Sequence, residues 1–127
     1  MIMGLGVDLC ELDRIRAAMD RHGERFLRKV LTPLELEGLP QACDTVQTAY
    51  VAARFAAKEA TAKALGTGFR DGISFHSMEI RPLPSGKPEL ILLGRGQELA
   101  AEMGVTGAHV SLTHGRDAAC AVVVLER

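Results

Sequence analysis

The sequence predicts an α+β fold in which a mainly antiparallel sheet packs against one long helix and several short helices. Three observations carry this. The first ten residues alternate with the period of a strand, the stretch 45–65 reads as one long Ala-rich helix, and the chain beyond residue 72 is mostly strand-like runs separated by turn signals. The order strand, helices, then mostly strands is that of an α+β domain. With 127 residues the chain is expected to form one domain spanning 1–127, and its 47% hydrophobic content is enough for a real core.

Met1, Met3, Leu5, Val7 and Leu9 alternate with Ile2, Gly4, Gly6, Asp8 and Cys10. The odd-numbered face is wholly apolar and is expected to pack on the core. The even-numbered face sets Asp8 beside two glycines, which often mark close approach of a ligand or another backbone. Residues 11–22 form a helix candidate, with Leu12, Ile15 and Met19 at helical spacing, and a second short helix follows. Thr32-Pro33-Leu34-Glu35 is a helix start with Thr at the N-cap, Pro at N1 and Glu at N3, and that helix ends near Gly38-Leu39-Pro40. The long helix runs from Thr45 to Leu65 and stops at Gly66, in a glycine-rich loop to residue 72. Strands are expected at 73–82 and 89–93, joined by a turn over 83–88. A short helix at 95–103, closed by Gly104, is followed by strands at 108–113 and 118–125 with a tight turn between them. The last strand is apolar on both faces, which suits the middle of a sheet or the contact with another subunit.

Composition excludes several functions. The net charge of −1 gives no general attraction to nucleic acid or anionic membrane, and 4% aromatics leave no base-stacking platform. No apolar run approaches membrane-spanning length and no signal peptide is evident, so a cytoplasmic protein is expected. Cys10, Cys43 and Cys120 are far apart and read as reduced thiols. The four histidines lack zinc-ligand spacing, and no GxSxG elbow supports a hydrolase reading of Ser111, His114 and Asp117.

The stretch RFAAKEATAKALGTG at 54–68 is the most informative. Glu59 and Lys63 lie four apart on one helix face, amid small residues. They are either an ordinary exposed ion pair or a catalytic acid and base on a helix slim enough for a large ligand to lie against. If the first strand lies beside this helix, Asp8 and Glu59 are placed to share a divalent ion. Two carboxylates completed by phosphate oxygens and water is a Mg²⁺ preference. Lys63 then reaches a phosphate, while Lys58, about 100° further round the helix, reaches another phosphate or a partner subunit. His109, Ser111 and Thr113 share one strand face and His114 the other.

Three blocks, GLGVDLCELDRI at 4–15, RFAAKEATAKALGTG at 54–68 and HVSLTHGRDAACAVV at 109–123, with the turn SGKP at 85–88, resemble the holo-acyl-carrier-protein synthase family of phosphopantetheinyl transferases. The resemblance implies the 4′-phosphopantetheinyl transferase fold. It also implies Mg²⁺-assisted transfer of 4′-phosphopantetheine from coenzyme A to a serine of apo acyl carrier protein, releasing adenosine 3′,5′-bisphosphate in the service of fatty acid biosynthesis. By match to the motifs, Asp8 and Glu59 are the metal ligands and catalytic groups. Lys63 assists the leaving phosphate, and Glu59 or a metal-bound water is implied as the base. Lys58, Gly66, Gly86, Lys87, Pro88, His109, Ser111 and His114 are implied to contact the coenzyme, those of the 86–88 turn from a neighbouring subunit. Arg14, Arg21 and Arg25 become the docking surface for the acidic carrier. A homotrimer with active sites between subunits is implied. Gly115 and Ala118 depart from the pattern, standing where many members carry an acidic residue and an aromatic.

Overall fold

The computed structural model describes all residues, 1–127. Strand β1 (Ile2–Glu11) leads into α1 (Leu12–His22), α2 (Glu24–Val30), α3 (Pro33–Glu37) and the long α4 (Asp44–Leu65). Then come β2 (Met78–Pro82), β3 (Pro88–Leu92), α5 (Gly94–Met103), β4 (Gly107–His114) and β5 (Ala118–Glu126). The expected α+β class holds, with the antiparallel strands divided between two sheets: β1-β5-β4 and the hairpin β2-β3. The doubly apolar β5 is the central strand of the larger sheet.

Local chemistry fixes the element ends. Thr32 and Glu35 form the capping box the sequence predicts, each side chain satisfying the other's backbone N–H. Gly66 and Gly104 close α4 and α5 in the left-handed conformation. The predicted strand start at Ile73 is wrong. Ser77 N donates to Ser74 O (2.9–3.0 Å bonds run both ways, Ser74 N donating to Ser77 Oγ), so 74–77 is a turn and β2 begins at Met78.

Helix α4 lies across one face of the three-stranded sheet, and its approach corrects the reading of β1. The buried face of β1 is the even-numbered one. A Cβ on Gly6 would stand 1.9 Å from Ala60 O, and one on Gly4 2.1 Å from Ala64 O. The glycines clear space for the backbone of α4, not for a ligand. The alanines facing them are likewise packing surface: Ala56, Ala57, Ala60, Ala62 and Ala64 are all buried. Opposite them, Ala119, Ala121, Val123 and Leu125 of β5 complete the core. The odd-numbered face, expected to be core, points outward. Leu5, Val7 and Leu9 are 62%, 57% and 66% exposed, beside Val122 at 37%.

Candidate active site

Asp8 and Glu59 come from separate elements, β1 and α4, whose packing through Gly6 and Ala60 brings them together. Burial, and after it the charge of Asp8, holds the Glu59 carboxyl above the ordinary carboxylate range; Arg14 and Lys63 partly oppose this. Lys63 does not pair with Glu59. Its ammonium donates to Asp8 Oδ1 and to Val7 O, each at 3.0 Å, with half its side chain exposed. Glu59 is left without an ion-pair partner beside two cations. This donor set suits a small hard cation. No group of three or more His, Cys, Asp or Glu gathers anywhere in the chain, and Mg²⁺ takes one or two carboxylates together with waters and phosphate oxygens.

Lys58 is not at this surface. It is fully buried, and Nζ donates to Glu35 Oε1 at 2.6 Å, Val30 O at 2.7 Å and Phe75 O at 2.8 Å. All three donors are satisfied inside the protein, so it reaches neither a phosphate nor a partner subunit. Burial lowers its pKa and Glu35 opposes the shift.

The remaining sequence candidates fall into three groups. Register pairs His109 with Val124 and Ser111 with Val122, on the outward face of the sheet with Leu5 and Val7. His109 lines a hollow of about 240 Å³ with Lys87 and Pro88, so the turn and the β4 histidine do meet; Nε2 of His109 lies 2.7 Å from Glu126 Oε1. Gly86, with φ of 90°, supplies the turn's left-handed residue. His114 takes the opposite face, which separates it from Ser111 and removes any Ser-His-Asp arrangement there. Arg14 and Arg21 line one hollow on α1, and Arg25 lines the next with Phe26 and Lys29; His22 belongs to both. Arg14 also sits over the Phe55 ring, 5.4 Å from its centroid. Gly66 ends α4 one turn beyond Lys63.

Sequence reading missed Arg54. Its guanidinium stacks 3.7 Å from the Tyr50 ring centroid, and its buried Nε has no hydrogen-bond partner. It lines a cavity of about 490 Å³ with Leu12, Tyr50, Leu112, His114 and Arg116. The signal was available in the motif's first residue, but nothing in the local pattern aimed it into a cavity with His114, 60 positions away. The cavity wall thus carries two arginines, Arg54 and Arg116, together with His114.

Fold and site together define an α+β protein that presents paired carboxylates and a lysine on a helix–strand seam, with separate cationic hollows, as a phosphate-transferring enzyme requires. Residues 4–123 match the model of the 4′-phosphopantetheinyl transferase superfamily. The chain is 59% identical to the holo-[acyl-carrier-protein] synthase of Maridesulfovibrio salexigens, over all of both chains. Among solved structures it resembles that of holo-[acyl-carrier-protein] synthase from Neisseria meningitidis, with a TM-score of 0.91 and 38% identity covering all of both chains. It also resembles the Bacillus anthracis holo-(acyl-carrier-protein) synthase in complex with CoA (3′,5′-ADP), with a TM-score of 0.83, 37% identity, and 98% of this chain and 96% of that one covered. This chain belongs to the 4′-phosphopantetheinyl transferase superfamily, and it is a transferase.

Proposed function

We propose that the protein transfers 4′-phosphopantetheine from coenzyme A to a serine of an apo acyl carrier protein, with Mg²⁺, in the cytoplasm, as a step serving fatty acid biosynthesis. The observation that carries this reading is the meeting of Asp8 and Glu59 beside Lys63 in a chain of this superfamily. The serine oxygen bonds to the phosphorus that bears the pantetheine arm. The bond from that phosphorus to the oxygen of the adenosine-side phosphate breaks, releasing adenosine 3′,5′-bisphosphate. The serine proton passes to Glu59 or to a water at the site. Burial, and after it the charge of Asp8, raises the pKa of Glu59, which makes it a stronger base than an ordinary glutamate. Lys63, already within 3.0 Å of Asp8, donates to the leaving phosphate from the rim. Asp8 and Glu59 would hold a Mg²⁺, which when bound supplies charge neutralisation and a template for the pyrophosphate oxygens.

The reading includes a homotrimer, which the placement of the remaining contacts supports. Asp8 and Glu59 lie on the helix side of the sheet, whereas His109, Ser111 and the Lys87-Pro88 hollow open on the other. One coenzyme touching both sets lies between copies, and the outward stripe Leu5, Val7, Leu9 and Val122 is the surface those copies bury. Arg54 and His114 receive an anionic group of the coenzyme. Arg14, Arg21 and Arg25 orient the acidic carrier.

The test is to incubate the protein with coenzyme A, Mg²⁺ and an apo acyl carrier protein and to weigh the carrier. Gain of a phosphopantetheine mass is expected. An unmodified carrier refutes the transferase, and nucleotide released without a carrier indicates a metal-dependent phosphohydrolase. Coenzyme binding with neither product indicates a non-catalytic binding module.

A further inference from the structure

We infer that Lys58 and His76 are positioning residues that hold the C-terminal end of α2 and thereby set the carrier-docking surface at a fixed place relative to Glu59. This rests on the docking assignment just made for α1 and α2.

Helix α2 has seven residues, too few to be stable by itself, and its last carbonyls have no partners within the helix. Two of them are taken by side chains from distant elements. His76 Nε2 lies 2.8 Å from Arg28 O, and because a carbonyl only accepts, the ring proton sits on Nε2. Lys58 Nζ donates to Val30 O at 2.7 Å. The same ammonium donates to Phe75 O, so it also holds the backbone next to His76. Above these ties, Phe26 of α2 stacks on Phe55 of α4, with centroids 6.5 Å apart, and Phe55 packs on Phe75 at 5.3 Å. Lys58 precedes Glu59 on the same rigid helix. The length from Glu59 to the docking cation Arg25 is therefore set through one ammonium, one imidazole and one aromatic stack.

Stability alone does not explain Lys58. A buried ion pair such as Lys58 with Glu35 is often no better for stability than well-packed apolar residues of similar volume. An apolar residue cannot donate to two carbonyls on two separate segments, which is what this position does.

The test is the variant Lys58→Met/Glu35→Gln, which removes both buried charges and keeps one of the two side-chain acceptors that Glu35 offers to Thr32 N and Ile80 N. Carrier KM, coenzyme KM and kcat are measured, with amide hydrogen exchange over 24–30. Carrier KM is expected to rise on the order of tenfold, the equivalent of about 1.4 kcal/mol of docking free energy. Coenzyme KM should stay within about twofold, and exchange over α2 should accelerate. Equal rises in the two KM values, or an unchanged carrier KM, overturn the inference. Should the double variant not fold, His76→Phe decides, since His76 is exposed and lies outside the core. A raised carrier KM with coenzyme KM and kcat kept supports positioning, and a parental carrier KM overturns it. A parent that adds nothing to the carrier fails the transferase reading; an active parent whose variants keep the carrier KM fails this inference alone.

Discussion

Lys63 reaches from the long helix to Asp8 on the first strand, 3.0 Å from its Oδ1, although Glu59 lies one turn away on its own helix. The partly exposed pair contributes about 0–1 kcal/mol to stability. Lys63→Met should therefore melt within a few degrees of the parent yet lose most transfer activity. Exchanging the two charges, with Glu59→Lys and Lys63→Glu together, should abolish transfer. Retained turnover in the exchanged variant would mean that the two side chains serve only as ordinary surface charges.

Glu59→Gln should lower transfer by on the order of 10²–10⁴-fold, the range for loss of acid–base assistance, with the helix content unchanged by circular dichroism. Its pH dependence has a definite sign. Burial and Asp8 raise the folded-state pKa of Glu59 above its ordinary value of 4.5. That contributes stability which is full below the unfolded value and is lost as pH rises through the folded one. The neutral Gln has no such loss. In urea melts the variant should gain on the parent as pH rises from below 4.5 to neutrality. A gain that shrinks along that path contradicts the raised pKa of Glu59.

Gly6→Ala should destabilise by roughly 1–3 kcal/mol or more, because its new methyl would stand 1.9 Å from Ala60 O. Gly115→Ala, with nothing within 4 Å of the added Cβ, should stay within about 0.5 kcal/mol. Equal midpoints for the two variants would show that α4 does not press on β1 as closely as described.

Val7→Asp should convert a trimer to monomers and remove activity with them, as read by light scattering and carrier mass. Cys120 gives an independent report. It sits on the outward sheet face, paired in register with Leu9 and Thr113. Alkylation should label exposed Cys43 first, spare Cys120 in the assembled protein and reach it in Val7→Asp. Cys10, buried and with its thiol pushed up to about 11, should stay unmodified in both. Rapid labelling of Cys120 in the parent would show that this face is free.

Much of the fold was legible because its signals are local. The Thr32–Glu35 capping box, the glycine ends of α4 and α5 and the turn at Gly86 each depend on a few adjacent residues. The face of β1 was not legible: alternation shows that two faces differ, not which one meets the chain's own helix. The bare Gly4–Gly6 face was needed against the Ala60 and Ala64 backbone, and the apolar face was left outward. The nearness of Asp8 and Glu59 was anticipated because both stood out among small residues. Lys58 was misread because helical angle gives direction without depth. Its partners Val30, Glu35 and Phe75 become visible only when α2, α3 and the 66–77 loop fold over it. Arg54 was missed for the same reason.

The central claim is that Asp8 and Glu59 act together on a phosphate through a divalent cation. Its most direct test is the initial rate of phosphopantetheine transfer to an apo carrier protein, read as carrier mass, with the metal stripped by a chelator and Mg²⁺ then restored. The rate should fall to background without the metal and return on its addition, and Asp8→Asn should not recover it at the same Mg²⁺ concentration. Transfer that continues at the parental rate in chelator would contradict the account.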